Sequence, residues 1–135
     1  MRRIETFVHV VWSTWRRLPL IDDSTEGPLH AAISLKCTQL GCTVVAVGGT
    51  FDHVHLLVQL HPSVSLAQLV GQVKGFSSFV MTHELAPGRF FRWQERYGAV
   101  TVAPDDFSVV ASYVRKQRQH HQAKQVLSDL ELPSS

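Results

Sequence analysis

Cysteine is scarce in this chain: Cys37 and Cys42 are the only two in 135 residues. Two thiols at that spacing are too few for a zinc site, and a disulfide is not expected in a reducing compartment. They read as buried thiols, since free cysteine behaves as a small hydrophobe. Charge is also thin, at 18% of residues with a net of +2. That permits nucleic-acid binding without requiring it. No apolar run approaches the roughly 20 residues a bilayer span requires, so no membrane partner is expected. The segment Met1-Arg2-Arg3-Ile4-Glu5 has neither a signal-peptide core nor a cleavage site, which points to a cytoplasmic protein. Internal repeats and low-complexity tracts are missing. Tyrosine is rare too, with only Tyr97 and Tyr113.

What is present suffices for one domain. At 44% hydrophobic residues, the chain can bury a core without staples. A single domain is expected over 1–131, with 132–135 as a frayed tail. Ile4 to Ser13 reads as a first strand. Asp22, Asp23 and Ser24 are N-cap candidates for a helix carrying Leu29, Ile33, Cys37 and Leu40 at helical spacing and closed by Gly41. Cys42 to Val47 and Phe51 to Leu60 read as a strand pair, with Gly48-Gly49 marking a turn or bulge. Ser65 caps a second helix with Leu66, Leu69, Val70, Val73, Phe76 and Val80 on one stripe, ending near Ala86-Pro87-Gly88. Tyr97 to Ala103 is the fourth strand. Pro104-Asp105-Asp106 opens a final helix from about Phe107 to about Leu130. The order βαββαβ plus a terminal helix predicts an α+β, ferredoxin-like antiparallel sheet with two helices on one face and an additional C-terminal helix.

Two spacings carry chemistry. Residues i and i+2 of a strand share a face, so His53 and His55 stand side by side. Val54, Leu56, Val58 and Leu60 form the opposite, aliphatic side and belong under the two helices. The histidines then sit on the other face, which only the terminal helix can reach. On that helix Tyr113 and Gln117 are one turn apart, and Gln117 falls roughly 20° from Val110, inside the apolar stripe. A polar side chain there needs a partner. Two imidazoles and an amide oxygen can hold a divalent ion with positions left for substrate oxygens, and Tyr113 is placed to attack. Structural or surface histidines remain the bland alternative.

Nucleic-acid contacts have their own candidates. Arg89, Phe90, Phe91, Arg92, Trp93 and Arg96 interleave cations with aromatic faces, as single-strand binding sites do. Lys74, Ser77 and Ser78 can hold phosphates, and Arg2, Arg3, Arg16 and Arg17 can grip a nucleic-acid backbone. Arg115, Lys116 and Arg118 flank Tyr113, whose phenol is mostly protonated at neutral pH and needs activation.

Taken in order, these residues resemble the single-tyrosine HUH transposases of small bacterial insertion sequences and their repeat-associated relatives. The resemblance runs over nearly the whole chain: His9-Val10-Val11-Trp12-Ser13-Thr14 with Arg16-Arg17, Asp52-His53-Val54-His55-Leu56-Leu57, Lys74-Gly75-Phe76-Ser77-Ser78, Trp93-Gln94 with Tyr97-Gly98-Ala99, and Tyr113-Val114 through Gln117 and His120-His121. Trp15 departs from it, since relatives often carry a small or basic residue there. The resemblance implies that His53, His55 and Gln117 bind Mg²⁺ or Mn²⁺. It implies that Tyr113 is the nucleophile, giving a 5′-phosphotyrosine and a 3′-hydroxyl on single-stranded DNA with hairpin ends, and that the protein is a homodimer. A host-domesticated relative that cleaves repeated palindromes would carry the same residues. Two other classes compete. A non-catalytic RNA- or DNA-binding module would show paired aromatics on the central strands, where this chain has histidines. A small metallohydrolase would activate water and leave Tyr113 idle.

Overall fold

The computed structural model describes residues 5–117. Four strands, β1 (Thr6–Ser13), β2 (Thr43–Gly49), β3 (His53–Leu60) and β4 (Gly98–Val102), form one sheet in the order β2-β3-β1-β4. Every neighbouring pair is antiparallel. Three helices accompany them: α1 (Asp23–Gln39), α2 (Leu66–Val80) and α3 (Phe107–Arg115). This is the expected ferredoxin-like α+β arrangement with its extra helix. Arg2, Arg3, Arg118, His120, His121 and the remainder of the expected terminal helix lie outside the described residues.

Local chemistry sets the helix ends. Asp22 begins α1, its carboxylate accepting from the backbone N–H of Ser24 at 3.0 Å and of Thr25 at 2.9 Å. The Asp22 N–H donates back to Thr25 Oγ1 at 3.0 Å. This reciprocal cap satisfies donors that the first turn leaves without partners. At the other end Gly41 takes a φ of 81°, the left-handed conformation glycine adopts without steric penalty. Ser65 caps α2 by accepting from Gln68 N–H at 3.0 Å, and the helix runs on through a wider turn at Met81–Leu85.

The strand alternation divides the protein into two packed layers. Val8, Val10 and Trp12 of β1 and Val54, Leu56 and Val58 of β3 pack against Leu29, Ile33 and Cys37 of α1 and Leu69, Val70 and Val73 of α2. Burying each of the larger aliphatic side chains contributes about 1.5–3 kcal/mol, so this layer carries most of the hydrophobic stabilisation. On the opposite face Ala46, Leu57 and Val102 meet Val110, Ala111 and Val114 of α3, with Phe7, Val45 and Phe107 at the margin. The histidines fall on this second, smaller layer.

The Gly48-Gly49 assignment differs from the sequence expectation. Gly48 and Gly49 are not a turn but the last residues of β2, paired with His55 and Val54. The irregularity lies instead between Val44 and Ala46. Gly48 is glycine because the backbone of α3 lies directly upon it: a methyl group there would fall inside the contact radius of the Val114 carbonyl oxygen. The bulge at Val45 in turn leaves its carbonyl out of the ladder, and it accepts from the Arg115 guanidinium at 3.0 Å. No helix among the described residues is long and apolar enough to cross a membrane.

Candidate active site

The site grows from β3. His53 and His55 are 2% and 0% exposed, so they are not surface histidines, and buried imidazoles need partners. His53 Nδ1 lies 2.7 Å from Asp52 Oδ1 and 3.0 Å from Thr50 Oγ1. Thr50 Oγ1 also donates to Asp52 Oδ1 at 3.1 Å. Partial burial opposes ionisation of Asp52, but the His53 hydrogen bond and the nearby Arg17 charge outweigh it and hold the carboxyl down to about 2. An ionised carboxylate at this distance assigns the imidazole proton to Nδ1 and the lone pair to Nε2.

That lone pair faces α3. Gln117, 0% exposed, donates its amide N–H to the Tyr113 carbonyl at 3.3 Å, which turns the carboxamide oxygen toward the sheet. Gln117 Oε1 then stands 3.4 Å from His53 Nε2. With the lone pair on Nε2, two acceptor atoms face each other across a gap that a shared cation would bridge. Ligands about 2.0–2.1 Å from a common ion are separated by about 3.0–3.4 Å, so the spacing fits a shared metal. Among the described residues no group of three His, Cys, Asp or Glu side chains is arranged to hold one, and the third ligand would have to be the amide.

His55 lies beside His53, their ring centroids 5.1 Å apart. Its Nδ1 is 2.8 Å from Nε2 of His9, a wholly buried histidine on β1. Tyr113 stands edge-on to His55 with ring centroids 5.7 Å apart, and edge-on to His9 at 6.4 Å. One chain therefore gathers His53, His55, Tyr113 and Gln117 into one buried cluster beside the second layer.

Arg17 reaches the edge of this cluster through strained backbone. Arg16 and Arg17 take left-handed φ values of 54° and 55°, which cost about 1–2 kcal/mol each for residues with a Cβ. The turn is fixed by Thr14 Oγ1 donating to Leu18 O at 2.6 Å and by Arg16 N–H donating to Gln94 Oε1 at 2.9 Å. Its result is to bring the Arg17 guanidinium within 3.5 Å of Asp52 Oδ1 and 3.3 Å of His53 Nδ1. Arg16 stays exposed.

The remaining candidates lie elsewhere. Trp93 is buried and donates from Nε1 to Ser77 Oγ at 3.0 Å, and Ser77 donates to Val73 O at 2.6 Å. Lys74 Nζ donates to the carbonyls of Gln94 and Glu95. Burial lowers its pKa, against an opposing pull from Glu95. These three side chains pin the connector that follows α2 onto that helix. Ser78 is half-buried on α2. Arg92 is exposed, its guanidinium 4.1 Å from the centre of the Trp15 ring, and Arg96 and Arg115 are exposed as well. Sequence reasoning gave no role to His9, Asp52 or Thr50. A histidine between Val8 and Val10, on the Phe7 and Val11 side of the strand, was the available signal for the first.

Residues 4–117 match the family described as transposase IS200 like. The chain belongs to that family. Its membership supports a DNA-processing enzyme. The backbone of this IS200-like transposase is similar to a crystal structure of a protein from Deinococcus radiodurans R1 assigned as a transposase, with a TM-score of 0.67 and 21% identity over 92% of this chain and 93% of the other. It is also similar to a REP-associated tyrosine transposase bound to a REP hairpin, with a TM-score of 0.63 and 16% identity over 93% of this chain and 74% of that one. At these identities the two structures bear on the fold. No curated protein matches the chain.

Proposed function

We propose that this IS200-like transposase cuts and rejoins single-stranded DNA through a phosphotyrosine formed by Tyr113. The observation that carries the reading is the convergence, within one chain, of His53 Nε2 and Gln117 Oε1 at 3.4 Å with Tyr113 edge-on to His55. His53, His55 and Gln117 would hold a divalent ion, Mg²⁺ or Mn²⁺, which when bound polarises a phosphate and stabilises charge on the entering and leaving oxygens. Tyr113 Oη attacks the phosphorus and gives up its proton to solvent. The bond from phosphorus to the 3′-oxygen breaks, and that oxygen takes a proton to become a 3′-hydroxyl. The phosphotyrosyl ester keeps the bond count of the phosphodiester it replaced. A second 3′-hydroxyl can therefore reverse the step onto a new partner without ATP.

Arg17, beside Asp52, supplies positive charge where a phosphate would approach, and Arg16, Arg92, Arg96 and Arg115 are exposed cations for the rest of the strand. The REP hairpin held by the similar transposase supports a substrate with hairpin ends. We also infer a homodimer from the family resemblance, which sedimentation or light scattering would check.

The test is to incubate the protein with labelled single strands from its own genomic flanks and Mg²⁺ or Mn²⁺, then to look for a protein-DNA adduct that survives denaturation. Tyr113→Phe should abolish the adduct while leaving DNA binding within about a few fold. His53→Ala, His55→Ala or a chelator should also abolish cutting. An adduct that persists in Tyr113→Phe removes Tyr113 as the nucleophile.

A further inference from the structure

The two proposed metal-binding histidines are anchored by different chemistry. His53 leans on a carboxylate and a hydroxyl, Asp52 and Thr50. His55 leans on another imidazole, His9, with Nδ1 and Nε2 2.8 Å apart and the rings stacked at 26°. His9 is 0% exposed, between Phe7-Val8 and Val10-Val11-Trp12 in the middle of β1. Hydrophobic packing alone would place an aliphatic side chain there, as it does at Val8 and Val10.

A histidine that ligates a metal is neutral and must present a lone pair. For two neutral rings in contact there are two ways to place the single proton between them. In one, His9 Nε2–H donates to His55 Nδ1. The proton of His55 then sits on Nε2, and that nitrogen cannot bind a metal. In the other, His55 Nδ1–H donates to His9 Nε2, the proton of His9 sits on its own Nδ1, and His55 Nε2 carries the lone pair. We propose that His9 is a positioning residue: its Nε2 accepts from His55 in the second arrangement, the one that a cation at His55 Nε2 selects, and so holds the ring orientation and tautomer of His55. The inference rests on the reading of His53, His55 and Gln117 as the metal-binding set.

The second arrangement makes the two histidines equivalent, since the Asp52 carboxylate 2.7 Å from His53 Nδ1 draws the proton of that ring to Nδ1 and leaves Nε2 toward Gln117. Such outer hydrogen bonds set the tautomer and orientation of metal-binding imidazoles, and their loss typically weakens metal affinity by about 10–100-fold. A neutral anchor has a further effect. A carboxylate at position 9 would orient His55 equally well, but it would place a second buried negative charge beside an incoming phosphodiester, where charges interact more strongly than in water. One carboxylate balanced by Arg17, with one imidazole, gives two oriented ligands at a smaller electrostatic cost to the substrate.

Two measurements test this. The first needs no variant: histidine ¹⁵N spectra of the wild-type protein should show His55 protonated at Nδ1 and unprotonated at Nε2. Finding the reverse tautomer with and without Mg²⁺ would overturn the proposal. The second is Mn²⁺ affinity by calorimetry on wild type, His9→Phe, His9→Gln and His55→Ala. Phenylalanine keeps a ring of similar size without the acceptor, whereas glutamine offers an amide oxygen to the His55 N–H. His9→Phe should lose about 10-fold or more in affinity and let His55 adopt the other tautomer, while His9→Gln recovers most of the loss. Equal Mn²⁺ affinity in His9→Phe and wild type, with His55→Ala clearly weakened, would refute the role of His9 and leave the metal reading standing. Mn²⁺ binding that is absent in wild type, or unchanged in His55→Ala, would overturn both. Should His9→Phe fail to fold, the wild-type spectra and the glutamine variant still decide.

Discussion

Replacing Gly48 by alanine is the most direct way to ask whether the position of α3 governs the chemistry. The backbone conformation at Gly48 is open to any residue, so the perturbation is steric. The added methyl would lie 2.9 Å from the Val114 carbonyl carbon and closer still to its oxygen, with Arg115 Cα at 3.5 Å. Carbon atoms in good contact stand about 3.5–4.0 Å apart, so α3 must lift by on the order of 1 Å. Tyr113 precedes Val114 and Gln117 follows it by three residues, so both move with the backbone that is displaced. Overpacking of this kind costs about 1–3 kcal/mol, partly offset by the about 0.4–1 kcal/mol that alanine contributes by restricting the unfolded chain. The protein should therefore fold, with a melting temperature lowered by several degrees. A displacement of about 1 Å between reacting groups can cost about 10²-fold in rate, and the span from His53 Nε2 to Gln117 Oε1 widens beyond its 3.4 Å. Single-turnover formation of the covalent adduct, with Mn²⁺ affinity measured alongside, reads both effects. If Gly48→Ala is folded and forms adduct within about threefold of the wild-type rate, the chemistry does not depend on the placement of α3 and the reasoning fails.

Three further outcomes are expected. Gly75→Ala, on a stretch of α2 with open space around it, should raise stability by roughly 0.5–1 kcal/mol, as denaturant unfolding would show; destabilisation would mean that another surface covers this face. Ser77→Ala should lower stability by about 1–3 kcal/mol by leaving the buried Trp93 N–H without its acceptor, while DNA affinity in gel shifts stays unchanged. A loss of affinity at full stability would instead put Ser77 in contact with DNA. Burial, with Cys42 adding to it, pushes the Cys37 thiol up to about 12 from 9.0. A folded-state value above the unfolded one contributes stability that is whole below about pH 9 and lost as pH rises toward 12. Native Cys37 should accordingly resist a thiol reagent at neutral pH and react on unfolding, and rapid labelling of the folded protein at that position would contradict the burial argument.

What the sequence revealed and what it concealed follow from the range of the interactions. The face of each β3 residue was legible because alternation is a local property: Val54, Leu56 and Val58 had to oppose His53, His55 and Leu57. Gln117 was legible as a polar residue in an apolar stripe, and it is buried against His53. The reason for Gly48 was not, because the residue that requires it, Val114, is far along the chain, and a Gly-Gly pair after a β-branched run has the local signature of a turn. Ser77 and Trp93 read as nucleic-acid candidates on type alone, whereas each turns out to be a hydrogen-bond partner of the other. His9 entered only as part of the first-strand resemblance and without a role, because a polar residue among apolar neighbours gains meaning only from the register that sets it beside His55.

The two layers of the sheet are unequal, and the inequality bears on how the site is held. The α1 and α2 side has a broad aliphatic cluster whose stabilisation is spread over many side chains. On the α3 side the apolar contact is small, and α3 is located by specific devices: Gly48, which admits its backbone, Arg115 donating to the bulged Val45 carbonyl, and Phe107 set at 57° to Phe7. A large diffuse core tolerates small changes anywhere in it, since surrounding side chains repack. A helix fixed by a few contacts passes any change in one of them directly to the groups it carries. Fold stability and site geometry are therefore carried by opposite faces of the sheet: substitutions under α1 and α2 should move the melting temperature more than the adduct rate, and those under α3 the adduct rate more than the melting temperature.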